Sequence, residues 1–129
     1  MLAFDAFRME EGVPIYLQIM RFVERSVAAG TARDQEELPS RRTLSALLGV
    51  NPNTVQKAYR LLEEEGLMES RSGAKSVLTL DERKVREVRT KLLEGEAAVL
   101  VAALKETGVS KEEALALVER LWDGKGGES

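Results

Sequence analysis

The amino-acid sequence predicts a mainly α-helical chain with a small β hairpin in its middle: three helices, the hairpin, then two more helices. Three observations carry this. Apolar residues recur at helical spacing in five stretches, each opened by Pro, Ser, Asn or Thr, and four of them are followed by a Gly stop. One stretch alone, LMESRSGAKSVLTL, switches to a short period around a central Ser-Gly. At 129 residues, 43% hydrophobic and 32% charged, with 10 Gly and 3 Pro, the chain has material for one ordinary core and a short appendage, and none for two full lobes.

The first helix lies in PIYLQIMRFVERSVAAG. Pro14 suits a first helical position because the donor it lacks would be unpaired there; Ile15, Ile19, Phe22, Val23 and Val27 share one face, and Gly30 ends the run. TARDQEELP is polar and reads as a loop closing with Leu38 and Pro39. Ser40 then caps a short helix, RRTLSALLG, with Leu44, Leu47 and Leu48 turned inward and Gly49 as its stop. Asn51 as cap and Pro52 as first residue open the third helix, which sets Val55, Ala58, Tyr59 and Leu62 at core spacing before Gly66. The hairpin has its tip at Ser72 and Gly73, with the β-branched Val77 and Thr79 in its return strand.

Thr79 with Glu82 has the form of a capping box for a long fourth helix. Its apolar positions are Val85, Val88, Leu92, Val99, Ala102 and Ala103, broadened by Leu93, Leu100, Val101 and Leu104, so wide a stripe that more than one partner is needed to cover it. Gly108 breaks that helix. Ser110 with Glu113 opens a fifth, with Ala114, Leu117, Val118 and Leu121 on one face and Leu115 and Trp122 beside it. The tail GKGGES is expected to fray, and the first 12 residues are open between a strand and a free segment.

There is no Cys and no His, which excludes disulfides, thiolate zinc sites and imidazole acid-base chemistry. Glu94 and Glu96 are two residues apart and share no helical face, so no metal site is expected there, and no cofactor is expected anywhere. A carboxylate-based hydrolase would need a concave site of which the pattern gives no sign, so no enzyme is expected. The start, MLAFDAFRMEE, lacks a basic stretch followed by an apolar run, and no window of 18 residues is apolar throughout; a cytoplasmic protein without a membrane is the expectation.

The net charge of −3 is unevenly spread. Residues 1–37 carry 4 basic and 7 acidic side chains, residues 38–80 carry 6 and 4, and residues 81–129 carry 9 and 11. Only the middle third is positive. Two helices joined by a tight Gly-containing turn, that local charge, and a hairpin directly after the second helix together make a winged helix-turn-helix over residues 1–80, followed by a two-helix dimerisation region over 81–129. A recognition helix over 52–65 enters the major groove by its first turn, so Asn53, Thr54, Gln56 and Lys57, off the core face, are the candidates for base edges and phosphates of double-stranded DNA. The helix start adds attraction for a phosphate oxygen.

The run LPSRRTLSALLGVNPNTVQKAYRLLEEEGLMESRSG, residues 38–73, resembles the DNA-binding domain of GntR-type bacterial transcription regulators, and NPNTVQKAY with a short helical carboxyl end is similar to their small YtrA-like subgroup. The resemblance spans about residues 14–77. It implies DNA contacts by Arg42 of the Leu-Pro-Ser-x-Arg turn, by Asn51, Asn53 and Thr54, and by the wing residue Gly73. Ser40 and Arg41 beside Arg42, and Arg71, Ser72 and Lys75 around Gly73, complete the candidate interface. The wing departs from the family's Gly-x-Gly: Lys75 stands where the second Gly would be, which restricts the backbone there and favours a phosphate contact over deep groove insertion.

Most members of the larger family carry a separate ligand-sensing domain, and 49 residues are too few for one. The expected use of 81–129 is a homodimer sealed by Val85, Val88, Leu92, Val99, Leu100, Leu104, Leu117, Leu121 and Trp122, whose two-fold axis demands an inverted-repeat operator. The resemblance further implies repression of an operon that often includes ABC transporter genes. A small-molecule effector is left open. The alternative is a winged-helix module that binds a protein rather than DNA. Blander roles cover the rest: Tyr16, Phe22 and Tyr59 as core residues, Trp122 as packing at a helix end, and Glu63, Glu64 and Glu65 as a solvated far end of the recognition helix.

Overall fold

The computed structural model describes residues 1–124, at Ala74 the backbone alone; the expected fraying after Gly124 concerns residues outside those described. The second and third helices begin where the caps place them, and the first begins one residue after Pro14, the expected first helical position. α1 (Ile15–Ala29) has Pro14 at its cap and Gly30 at its end. α2 (Arg41–Leu48) starts from Ser40, whose Oγ accepts the Thr43 N–H at 3.1 Å. α3 (Pro52–Glu64) starts from Asn51, whose side-chain oxygen accepts the Asn53 N–H at 2.8 Å. Each of these two side chains satisfies a donor that a helix start leaves unpaired, worth about 1 kcal/mol.

The wing follows as expected, with a third strand where the sequence predicts loop. β1 (Glu37–Leu38) pairs antiparallel with β3 (Lys75–Leu78), which pairs in turn with β2 (Met68–Arg71), giving the order β1-β3-β2. Residues 72–74 form a single tight turn in which Gly73 sits at φ 78, a left-handed conformation that costs a side-chain-bearing residue about 1 kcal/mol or more. β1 escaped notice because two residues carry no period; their pairing with Val77 and Ser76 is set 38 to 40 residues away.

The packed interior is built from one face of each element. Ile19, Val23 and Val27 of α1, Leu44 of α2, Val55, Ala58, Tyr59 and Leu62 of α3, and Leu38, Leu67 and Leu78 around the sheet are all at most 1% exposed. Full burial of each large apolar side chain contributes roughly 1.5–3 kcal/mol. Leu47, expected inward, is 62% exposed instead: α2 is only eight residues long and Leu44 and Leu48 already fill its inner side.

The opening segment joins this core. Leu2, Phe4 and Phe7 are buried, and Phe22 of α1 stacks on Phe4 at 4.8 Å and meets Phe7 edge-on at 5.6 Å. Gln18 fastens the chain between them: its amide nitrogen donates to the carbonyls of Glu10 and Val13, and its oxygen accepts the Glu10 N–H. A buried amide with its donors and acceptor satisfied holds a segment that has no secondary structure of its own.

α4 (Glu82–Glu106) starts two residues later than the expected Thr79 box. Asp81 accepts the Lys84 N–H at 2.8 Å, while the Thr79 hydroxyl donates to the Gly66 carbonyl. Val85 and Val88, placed at a dimer seam by the sequence reading, are partly buried against the core just described. α5 (Lys111–Trp122) opens with the anticipated Ser110–Glu113 box, its two hydrogen bonds 3.1 and 3.2 Å. The chain groups into two compact units, Met1–Leu92 and a second from Leu93. In the second, no residue of α4 or α5 is buried; Val99 is 73% and Trp122 86% exposed, with Leu93, Leu100, Val101, Leu115 and Leu121 near half.

Candidate nucleic-acid interface

The recognition helix α3 is divided cleanly. Val55, Ala58, Tyr59 and Leu62 recur every three or four residues and bury one side, which turns Asn53, Gln56 and Lys57 outward and leaves Thr54 half-buried. The Tyr59 hydroxyl donates to the Pro39 carbonyl at 2.7 Å, fixing α3 against the entry to α2; burial pushes its phenol well above the usual range, so it stays a donor at every working pH. The turn between the two helices is closed by the Ser45 hydroxyl, which donates to the Val50 carbonyl.

Candidates at the start of α2 fall into two groups. Arg42 is exposed and makes no hydrogen bond or ion pair among the described residues, so its guanidinium is available. Arg41 is engaged: it lies over the Tyr59 ring at 5.3 Å and pairs with Glu63 at 3.3 Å, its side chain 28% exposed. Ser40 and Asn51 hold their helix caps, Ser40 also donating to the Thr43 hydroxyl at 2.8 Å. Lys57 keeps its ammonium 4.0 Å from the centre of the Tyr16 ring on α1, a cation–π contact that gives a flexible side chain a preferred direction.

At the wing, Ser72, Gly73 and Lys75 are exposed. Arg71 is held on two sides: its fork meets one oxygen of Glu69 at 2.6 and 2.8 Å, and Nη2 donates to Gln35 Oε1 at 2.6 Å. Gln35 itself has φ 68, a left-handed backbone unusual for a side-chain-bearing residue, locked by its N–H donating to the Leu78 carbonyl. Beside it Asp34 accepts the Leu80 N–H at 2.8 Å; that backbone hydrogen bond, with help from the Gln35 amide, holds its carboxyl below the ordinary value.

The sequence reading missed Glu63. It accepts from Arg41 of α2 and from the Ser70 hydroxyl of β2, the latter at 2.8 Å, so it is no idle member of an acidic run. Its partners lie 22 residues before it and 7 after it, beyond the reach of helical spacing; the one available hint was that Glu63 falls one turn after Tyr59. Among the described residues, no group of three acidic side chains is arranged to hold a metal ion, and no helix is long and apolar enough to cross a membrane.

Known proteins share this arrangement. The sequence model described as "Bacterial regulatory proteins, gntR family" matches residues 15–77, the span from α1 through β3. The HTH-type transcriptional regulator YhcF of Bacillus subtilis is 31% identical over 91% of this chain and 97% of its own. The HTH-type transcriptional repressor YtrA of the same organism is 32% identical over 84% of this chain and 78% of its own. A GntR family transcriptional regulator from Listeria monocytogenes superposes with a TM-score of 0.77 at 28% identity, over 87% of this chain and 98% of its own. The family and these relatives are transcriptional regulators, not enzymes. With such similarity across most of both chains, the protein belongs to the gntR family of bacterial transcription regulators and carries its DNA-binding helix-turn-helix.

Proposed function

We propose that the chain is a sequence-specific repressor that binds an inverted-repeat operator in the cytoplasm as a homodimer. The observation that carries this reading is the pairing of an outward-facing row, Asn53, Gln56 and Lys57, with the apolar residues left uncovered on α4 and α5. Asn53 and Gln56 suit the paired donor and acceptor of adenine in the major groove; Lys57, Arg42 and Lys75 suit guanine or phosphates. Val99, Leu100, Leu121 and Trp122, with the half-buried Leu104 and Leu117, are the surface that a second copy would cover. Leu92 stands at the end of the first unit and is assigned to the same seam.

Repression rests on the likeness to YtrA, which is itself named a repressor. The subgroup resemblance points to operons with ABC transporter genes as the first place to look for the operator. The test is selection of bound duplexes from a random library, then anisotropy titration of the winner at two salt concentrations, with sedimentation of the free protein. An inverted repeat with half-sites about 10 bp apart, bound by two chains and steeply weakened by salt, is the expected result. No enriched sequence, with weak binding that ignores salt, overturns the reading in favour of a protein partner.

A further inference from the structure

We propose that Glu63 is a positioning residue for DNA recognition, which sets the wing against the recognition helix by holding Arg41 and Ser70 on one carboxylate oxygen. The inference rests on the reading that the chain binds DNA through α3 and the wing. The geometry behind it is compact. Glu63 Oε1 takes the Ser70 hydroxyl at 2.8 Å and Arg41 Nη2 at 3.3 Å, so one atom of α3 touches both β2 and α2. Glu63 lies four residues after Tyr59, on the same helical face, and the Arg41 guanidinium spans the two: stacked over the ring, paired with the acid.

Each link has a mechanical meaning. β2 leaves α3 through Gly66 and Leu67, whose carbonyls accept from the Lys84 ammonium, the Thr79 hydroxyl and the Thr79 N–H; the Glu63–Ser70 bond adds a closure of eight residues across that turn, the one side-chain link between α3 and β2 themselves among the described residues, and further restrains the strand. On the other side, Arg41 Nε is buried without a partner. The guanidinium is therefore kept in place by its ring and acid contacts against the cost of an unsatisfied donor, which is what a spacer between α2 and α3 requires. Pairing with Arg41 also offsets the negative charge that Glu63 would otherwise present near phosphates.

The test uses the full chain with Glu63→Ala, Ser70→Ala, the double variant and Glu63→Gln. Without DNA, amide exchange of residues 68–78 is compared with that of α1. We expect both single alanine variants to exchange about tenfold faster in the wing and unchanged in α1, the size of one hydrogen bond to a charged group. The double variant is expected to be no faster than either single, and Glu63→Gln, which keeps an acceptor for Ser70, to recover most of the protection. With DNA, the alanine variants should lose preference for the flanking bases beside the wing while retaining preference for the bases facing α3. Unchanged wing exchange, or additive effects in the double variant, overturns the proposal. If the wild type selects no operator, the DNA reading fails and the recognition role falls with it, while the exchange data still decide whether Glu63 holds the wing.

Discussion

Replacing Glu24 by glutamine is expected to stabilise the protein at pH 8 and to leave it unchanged near pH 4.5. Glu24 lies on α1 in a cleft of about 410 Å³ within the first unit, walled by Leu17, Met20 and Leu61, with Glu64, Glu65, Arg21 and Lys91 at its rim. Burial raises its carboxyl from 4.5 to about 7, assisted by the hydrogen bond that the protonated group donates to Glu65 and by the negative charge of Glu65; Lys91 and Arg21 pull the other way without prevailing. A folded-state value above the unfolded one means that the native protein holds the proton more tightly. The contribution is thus full below pH 4.5 and is lost as the pH rises through 7. A shift of this size corresponds to a ceiling of about 3 kcal/mol, and the half-buried setting, with solvent screening, brings it down to about 1–2 kcal/mol. Glutamine keeps the shape, cannot ionise and can still donate to Glu65. Urea denaturation at pH 4.5 and 8, at one fixed chain concentration because association would shift the midpoint, measures the difference. Equal stability of variant and wild type at pH 8, or the same gain at both pH values, would refute the reasoning.

Tyr59→Phe removes the buried donor to the Pro39 carbonyl and should cost about 1–3 kcal/mol in chemical denaturation, since the carbonyl is left unsatisfied. Phe4→Ala opens a hole beside Phe7 and Phe22 and should cost about 3–5 kcal/mol by the same assay; a loss under 1 kcal/mol would mean that the opening segment does not pack as described. Arg42→Ala should weaken operator binding nearly uniformly across sequences and reduce the logarithmic salt slope by about one, whereas an unchanged slope removes Arg42 from the phosphate contacts. Val99→Asp with Leu121→Asp should convert a sedimenting dimer to monomer with the helical circular dichroism of the first unit retained, and a dimer that persists would move the seam elsewhere.

What the sequence disclosed, and what it withheld, divides by distance along the chain. Val55, Ala58, Tyr59 and Leu62 were readable because helical spacing alone places them on one face, and Ser40, Asn51 and Ser110 because a cap acts within three residues. β1 was unreadable because Glu37 and Leu38 become a strand only through β3. Asp81 was passed over for Thr79 since either can cap and only the fold decides which is free; Thr79 is taken by the Gly66 carbonyl. The same limit governs the candidate interface. The outward direction of Asn53, Gln56 and Lys57 follows from local period, but the difference between a free Arg42 and an engaged Arg41 depends on Tyr59 and Glu63, and no spacing rule connects them. The first 12 residues are open between strand and free segment in the sequence because what places Phe4 and Phe7, the Gln18 amide and the Phe22 ring, lies on α1 and not within the segment.

The small sheet has two margins, and both are guarded against adding strands from another molecule. On the β1 side, the Leu2 N–H donates to the Glu37 carbonyl at 2.8 Å, so the chain's own beginning occupies an acceptor that a foreign strand would need. On the β2 side, the strand is four residues long and carries the ion pair of Glu69 and Arg71, a charged and short border that discourages ladder extension. Uncontrolled aggregation through sheet edges is thereby suppressed in a protein whose apolar helical surface lies open. The practical consequence concerns handling: trimming or fusing the first residues would expose the β1 border as well as removing Leu2 and Phe4 from the core, and the preparation should then be watched for fibrils as well as for loss of fold.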